Sequence, residues 1–222
     1  MSQAPTIISG GATGADKCWA TEALQRGMDV HVCTFEGHRR ATLPPGARLI
    51  LLAPGHRVRF WAELQAVAQR RHLQPRYEPA SYVSCLLLRN AMLALRSQAL
   101  LVIAEQRPSP RAFSRTARPW DCMVYGETGW TVQLFVERHI KHERQPSLAV
   151  FAQATSTWYA AHIDFPAQAV RWTAVECPVM AMRLLPAVPT SVGCVGVRQL
   201  RDTGRVAIAC ALEQLQAARE PG

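Results

Sequence analysis

The sequence predicts an α/β domain of the doubly wound kind: a mostly parallel sheet with helices on both faces. Three observations predict it. Short β-branched or apolar runs alternate along the chain with stretches of helical periodicity. The first run passes through a glycine-rich turn into a helix and then a second strand, a βαβ unit whose crossover is right-handed and whose strands are parallel. Finally, Ala99-Leu100-Leu101-Val102-Ile103-Ala104 is continuously apolar, as a buried strand must be.

The elements follow in order. Thr6-Ile7-Ile8-Ser9 is β-branched and apolar, and short enough for a buried strand. Gly10-Gly11-Ala12-Thr13-Gly14-Ala15-Asp16 then leads into a helix with Trp19, Ala20, Ala23 and Leu24 at apolar positions and Gly27 at its close. Asp29-Val30-His31-Val32-Cys33-Thr34 reads as the second strand. After the turn Leu43-Pro44-Pro45-Gly46, Leu49-Ile50-Leu51-Leu52 reads as a short third. Phe60, Trp61, Leu64, Val67 and Ala68 keep helical spacing over 57–72; Leu86, Leu87, Ala91, Leu93 and Ala94 keep it over 82–97. Beyond the 99–104 strand, 105–121 loses all periodicity, with Pro108, Pro110 and Pro119 among Arg107, Arg111, Arg115 and Arg118. Both flanks read as parts of one sheet, so this stretch is expected to be a loop over the ligand site. A helix over 129–143, a strand at Ser147-Leu148-Ala149-Val150-Phe151 and an irregular segment over 154–190 come next. A last strand at Ser191–Val195 and a terminal helix over 201–218, with Ile208, Leu212 and Leu215 on one face, complete a single domain spanning 1–222.

Composition narrows the function. Hydrophobic residues are 49% and charged residues 18%, which excludes a disordered chain and a coiled coil. No apolar run approaches the ~20 residues of a membrane helix, and the first residues lack the basic-then-apolar order of a signal peptide. A soluble cytoplasmic protein with no membrane partner is therefore expected. The 7 cysteines, at 18, 33, 85, 122, 177, 194 and 210, form no CxxC and read as small core residues. Lys and Arg number 25, nearly all arginine, against 16 Asp and Glu, for a net charge of +9. Guanidinium forks match phosphate and carboxylate geometry, so an anionic partner is expected: a nucleotide, a nucleic acid or an acidic metabolite.

Two glycine turns carry the chemistry. In a doubly wound sheet ligands sit beyond the carboxyl ends of the strands, and both Gly10–Asp16 and Gly126-Glu127-Thr128-Gly129 are expected there. Glycines admit a ligand close to the backbone, and the following helix start presents N–H groups to an anion. Thr13 and Thr128 add hydroxyls; Asp16 is placed to cap the helix or to meet a ribose hydroxyl. Neither turn is a Walker loop or a GxGxxG fingerprint.

Ser9-Gly10-Gly11-Ala12-Thr13-Gly14-Ala15-Asp16 resembles the first motif of the SLOG superfamily of Rossmann-like proteins. That group includes the LOG phosphoribohydrolases, the DNA-processing protein A family and molybdenum-cofactor carrier proteins. The resemblance continues in Leu88-Arg89-Asn90 and in Gly126-Glu127-Thr128-Gly129-Trp130-Thr131-Val132-Gln133. It extends to Val150-Phe151-Ala152-Gln153 with Trp158-Tyr159, and to Gly193-Cys194-Val195-Gly196-Val197-Arg198, spanning about residues 5 to 210. It implies a pocket for a nucleotide or nucleotide-derived ligand, in a sensor, carrier or weak hydrolase. Phosphate would lie over Gly10, Gly11, Thr13, Gly14, Gly126, Thr128 and Gly129, with Asp16, Asn90, Trp130, Thr131 and Gln133 completing the site. In LOG enzymes an arginine and a glutamate split a nucleoside monophosphate at its N-glycosidic bond. Arg89 matches the arginine, but Val132 and Gln133 stand where those enzymes carry acids, leaving Glu127 as the substitute. Many relatives self-associate, so a homo-oligomer is also implied.

Other residues carry alternative readings. Trp130 stacks on a base or belongs to the core. His38, after Phe35-Glu36-Gly37, contacts ligand or occupies an exposed turn, and His139 and His142 have metal-compatible spacing in what reads as a solvated helix end. The arginines of 105–121 form a flap over an anionic ligand or, with Phe113 and Trp120, contact single-stranded nucleic acid.

Overall fold

The computed structural model describes residues 5–38, 44–70, 81–106, 127–167, 169–182 and 189–218. Its strands are β1 (Thr6–Ser9), β2 (Val30–Thr34), β3 (Arg48–Leu51), β4 (Ala99–Ala104), β5 (Ser147–Ala152), β6 (Thr157–Asp164), β7 (Ala169–Val175) and β8 (Ser191–Gly196). Its helices are α1 (Ala15–Gln25), α2 (Pro54–Arg70), α3 (Tyr82–Arg96), α4 (Glu127–Lys141), α5 (Val179–Met182) and α6 (Asp202–Ala217). The strands form one 8-stranded sheet in the order β3-β2-β1-β8-β4-β5-β6-β7. All neighbours from β3 through β5 run parallel, while β6 and β7 add an antiparallel hairpin at the edge. The architecture is the doubly wound, Rossmann-like α/β sheet that the sequence predicts.

Two cores lie on opposite faces of that sheet. Along β4, Leu100, Val102 and Ala104 face α2, α3 and α4, whereas Ala99, Leu101 and Ile103 face α1, α5 and α6. Both faces are covered, so β4 and β5 are buried at every position and need an uninterrupted apolar sequence. Helix α3 goes further. It lies between α2 and α4 against the sheet, and every residue from Ser84 to Ala94 is buried. Ser81 caps it, its Oγ accepting the Ser84 N–H at 3.2 Å. The consequence for function is that Arg89 and Asn90 are carried into the interior. No helix among the described residues is long and apolar enough to cross a membrane.

The segment 154–190 departs from its expected irregularity: it holds β6, β7 and the short α5. The edge hairpin supplies Trp158 to one core and Ala161, Ile163 and Val170 to the other, with exposed polar residues between them, so it shows no long apolar run. Trp158, Ala161, Ile163 and Val170 are buried while His162, Arg171 and Thr173 are exposed, and Trp158 packs on Phe151 with ring centroids 5.2 Å apart. Pro166 falls in the hairpin turn and Pro178 just before α5, so neither interrupts a strand. The loop over 105–121 lies outside the described residues from 107 onward.

The last strand in sequence, β8, is inserted between β1 and β4. Its carboxyl end therefore abuts the turn after β1. Gly196 marks how closely: a Cβ there would stand 2.6 Å from Ala15 Cβ and 2.8 Å from the Ile103 carbonyl oxygen. Gly196→Ala is expected to lower stability by about 1–3 kcal/mol, the cost of overpacking a filled interior. Urea denaturation of the two chains measures the difference.

Candidate functional site

The parallel strands end at one edge of the sheet, and three of them meet where the chain order reverses around β8. At that edge the β1–α1 turn has a left-handed backbone at Gly11 (φ 67) and Gly14 (φ 95). A side chain at Gly14 would collide with the backbone of Val197 and Arg198, which follow β8. The Ala15 N–H donates to the Val197 carbonyl at 3.0 Å, and the Ser9 hydroxyl donates to the Asp16 carbonyl at 2.8 Å. These bonds clamp the turn onto the end of β8.

Beneath the turn lies a buried ion pair. Arg89 Nη1 donates to Asp16 Oδ2 at 3.2 Å, with the two residues 2% and 5% exposed. Gly10 has no side chain because a Cβ would fall on the Arg89 guanidinium. The other carboxylate oxygen, Asp16 Oδ1, accepts the Gly196 N–H at 3.1 Å. Burial pushes the Asp16 carboxyl above its ordinary range, opposed by the Arg89 charge and by N–H groups of Gly196 and Ala12. One carboxylate thus joins the β1 turn, the end of β8 and the middle of α3.

The expected site residues divide accordingly. Gly10, Gly11, Thr13, Gly14, Asp16 and Arg89 gather at the β1 edge, with Thr13 exposed on the crest, while Asn90 is buried beside Arg89 in the sequence of α3. Arg89 and Asp16 turn inward to each other instead of projecting as a phosphate fork and a helix cap; the N-terminus of α1 has no side-chain cap. The Thr128 hydroxyl donates to the Gly196 carbonyl at 3.1 Å, which brings the start of α4 and buried Gly129 to the same edge. Gly126 and the Glu127 side chain lie outside the described residues. Trp130 is half-buried against the α2–α3–α4 core. Thr131 is buried, as is Gln133, whose Oε1 has no hydrogen-bond partner among the described residues. His139 Nδ1 lies 2.7 Å from the Phe135 carbonyl and its ring on Phe135, a packed position, and no metal-binding cluster occurs among the described residues.

The glycines were legible as a close approach, but not what approaches. The signals for it were an acid in the first turn of α1 and a lone arginine inside an otherwise apolar helix. His38 is half-buried, not an exposed turn residue. Its Nδ1 lies 2.9 Å from the Thr34 hydroxyl, and burial, reinforced by Arg89, brings its pKa down from 6.5 to about 4. A cavity of about 230 Å³ lies elsewhere, at the amino ends of the strands between α2, α3 and α4, lined by Arg59, Glu63, Leu134, Glu137, Arg138 and Lys141 among others. Its lining includes no residue of the β1–α1 turn. No protein-family model, curated protein or solved structure matches this chain.

Removing one partner of a buried ion pair leaves the other uncompensated. Asp16→Asn and Arg89→Met are each expected to cost about 3–5 kcal/mol. The double variant should cost less than their sum, measured as a double-mutant cycle in denaturant. For His38 the sign is set by a folded pKa below the unfolded one. The unfolded chain takes up a proton near 6.5 while the folded chain remains neutral to about 4. Stability should therefore fall as pH drops through that window, and His38→Gln should flatten the fall.

Proposed function

We propose that the protein binds a nucleotide or nucleotide-derived ligand of SLOG type, with the phosphate over the β1–α1 turn. One observation carries this reading. The hydrogen bonds of the turn are made by the N–H groups of Gly11, Ala15, Lys17 and Cys18, with that of Ala12 on Asp16. Among the described residues the N–H groups of Gly10, Thr13, Gly14 and Asp16 make no such bond, and those of Thr13 and Gly14 lie at the crest, at the start of α1. Backbone donors at a helix N-terminus suit an anion, and their position outside a strand's carboxyl end at an order reversal is where such sheets take ligands. The Thr13 hydroxyl is exposed to add a donor. Arg89 contributes from below, holding the turn in shape through Asp16.

A second reading, nucleotide N-glycosidic hydrolysis, is supported by one placement. Glu127 opens α4, whose next residue bonds to Gly196, so its backbone stands beside the turn. Free base released by the purified chain and lost in Glu127→Gln supports it; ligand recovered intact excludes it.

Thermal unfolding against nucleoside mono- and diphosphates tests the binding reading. A ligand at 100 times its dissociation constant adds about 2.7 kcal/mol, which raises the midpoint of a chain this size by roughly 5–10 °C. Thr13→Asp, which places a negative charge on the exposed crest, should abolish that rise without changing the ligand-free midpoint. No rise with any nucleotide contradicts the proposal.

A further inference from the structure

One strand away from the glycine turn, the carboxyl end of β2 carries three rings. Phe35 is buried in the core on the α2–α3–α4 face. The imidazole of His38 lies flat on it, centroids 4.8 Å apart and planes 15° apart. Tyr82, the first residue of α3, meets Phe35 edge-on at 5.5 Å and 69°, and its ring stands 6.3 Å from His38 at 54°. Tyr82 is 39% exposed, so the group opens outward.

The histidine is held in place three times over: by Phe35 against its face, by Thr34 on Nδ1, and by its own N–H on the Phe35 carbonyl at 3.1 Å. A turn at a strand end needs none of this to form. Tyr82 and Arg89 are seven residues apart on α3, two helical turns, and therefore share a face. The Arg89 charge reaches His38 and opposes its protonation. What results is a fixed, uncharged imidazole beside an exposed phenol ring, at the end of the strand that pairs with β1. Aromatic faces next to a neutral hydrogen-bonding edge suit a flat, uncharged heteroaromatic ring.

We propose that His38 and Tyr82, seated on Phe35, receive the base of the nucleotide whose phosphate lies over Thr13 and Gly14. This rests on the nucleotide-binding reading above and adds to it the base subsite, which it assigns to the end of β2 instead of to Trp130. Stacking of this kind tolerates any base, while the His38 Nε2, which has no hydrogen-bond partner among the described residues, supplies a hydrogen bond to its edge.

Calorimetric titration of the full chain with AMP, GMP, CMP, UMP and ribose 5-phosphate tests the assignment, because the last probe keeps the phosphate and sugar but lacks a base. The tightest nucleotide should bind at least about tenfold better than ribose 5-phosphate. Tyr82→Leu and His38→Ala should each shrink that ratio about fivefold or more and leave ribose 5-phosphate affinity within about twofold, whereas Tyr82→Phe should preserve the ratio. Should His38→Ala fail to fold, the half-exposed Tyr82 position carries the comparison alone. An unchanged ratio in Tyr82→Leu overturns the base subsite and leaves phosphate binding standing. A ratio that collapses only in Trp130→Leu does the same and moves the base to α4. Failure of the unaltered chain to bind any of the five probes overturns both proposals.

Discussion

A guanidinium stripped of nearly all its water must be met by a carboxylate, and in this fold that requirement links three segments distant in sequence. Arg89 enters the interior because α3 is packed on every side, and Asp16 answers it from the first turn of α1. The pair needs room above it, which is why Gly10 has no side chain. It needs its second carboxylate oxygen satisfied, which draws in the Gly196 N–H. Meeting those demands fixes the path of the chain from Ser9 to Ala15, and with it the placement of the crest at Thr13 and Gly14.

The insertion of β8 between β1 and β4 makes this possible. Had β8 been an edge strand, its carboxyl end could not have reached Asp16, nor Val197 the N–H of Ala15. A second tie works in the same sense farther along the edge. Gln153, after β5, accepts the Arg201 N–H at 2.7 Å and donates to Glu105, which also pairs with Arg201 before α6. The ends of β4, β5 and β8 are thus bound to one another, and the glycine turn rests on a rigid floor.

Much of the fold was legible because parallel strands covered on both faces announce themselves. The run Ala99–Ala104 and the opening Thr6–Ser9 match β4 and β1 residue for residue. The hairpin of β6 and β7 was not legible, since its buried residues Trp158, Ala161 and Ile163 are divided between the two faces and keep no single period, and Pro166 in its turn resembles a loop residue. The glycine turn was recognisable as a turn, whereas the reasons for Gly10 and Gly14 lay in Arg89 and in Val197 and Arg198, far along the chain. Sequence spacing carries no record of such contacts. The ring group at the end of β2 was missed for the same cause: Tyr82 reaches Phe35 and His38 from a helix that begins after a further strand and helix.

In the proposed function the anion seat is the crest of the β1–α1 turn, not the cavity between α2, α3 and α4. Backbone amide shifts of the isotopically labelled full chain, followed during titration with AMP, GMP, CMP and UMP, test it most directly. The largest shifts are expected at the Thr13 and Gly14 amides, with smaller ones at Gly196 through the Asp16 carboxylate. Shifts confined to the region of Arg59, Leu134 and Arg138, or none with any of the four nucleotides, would contradict it.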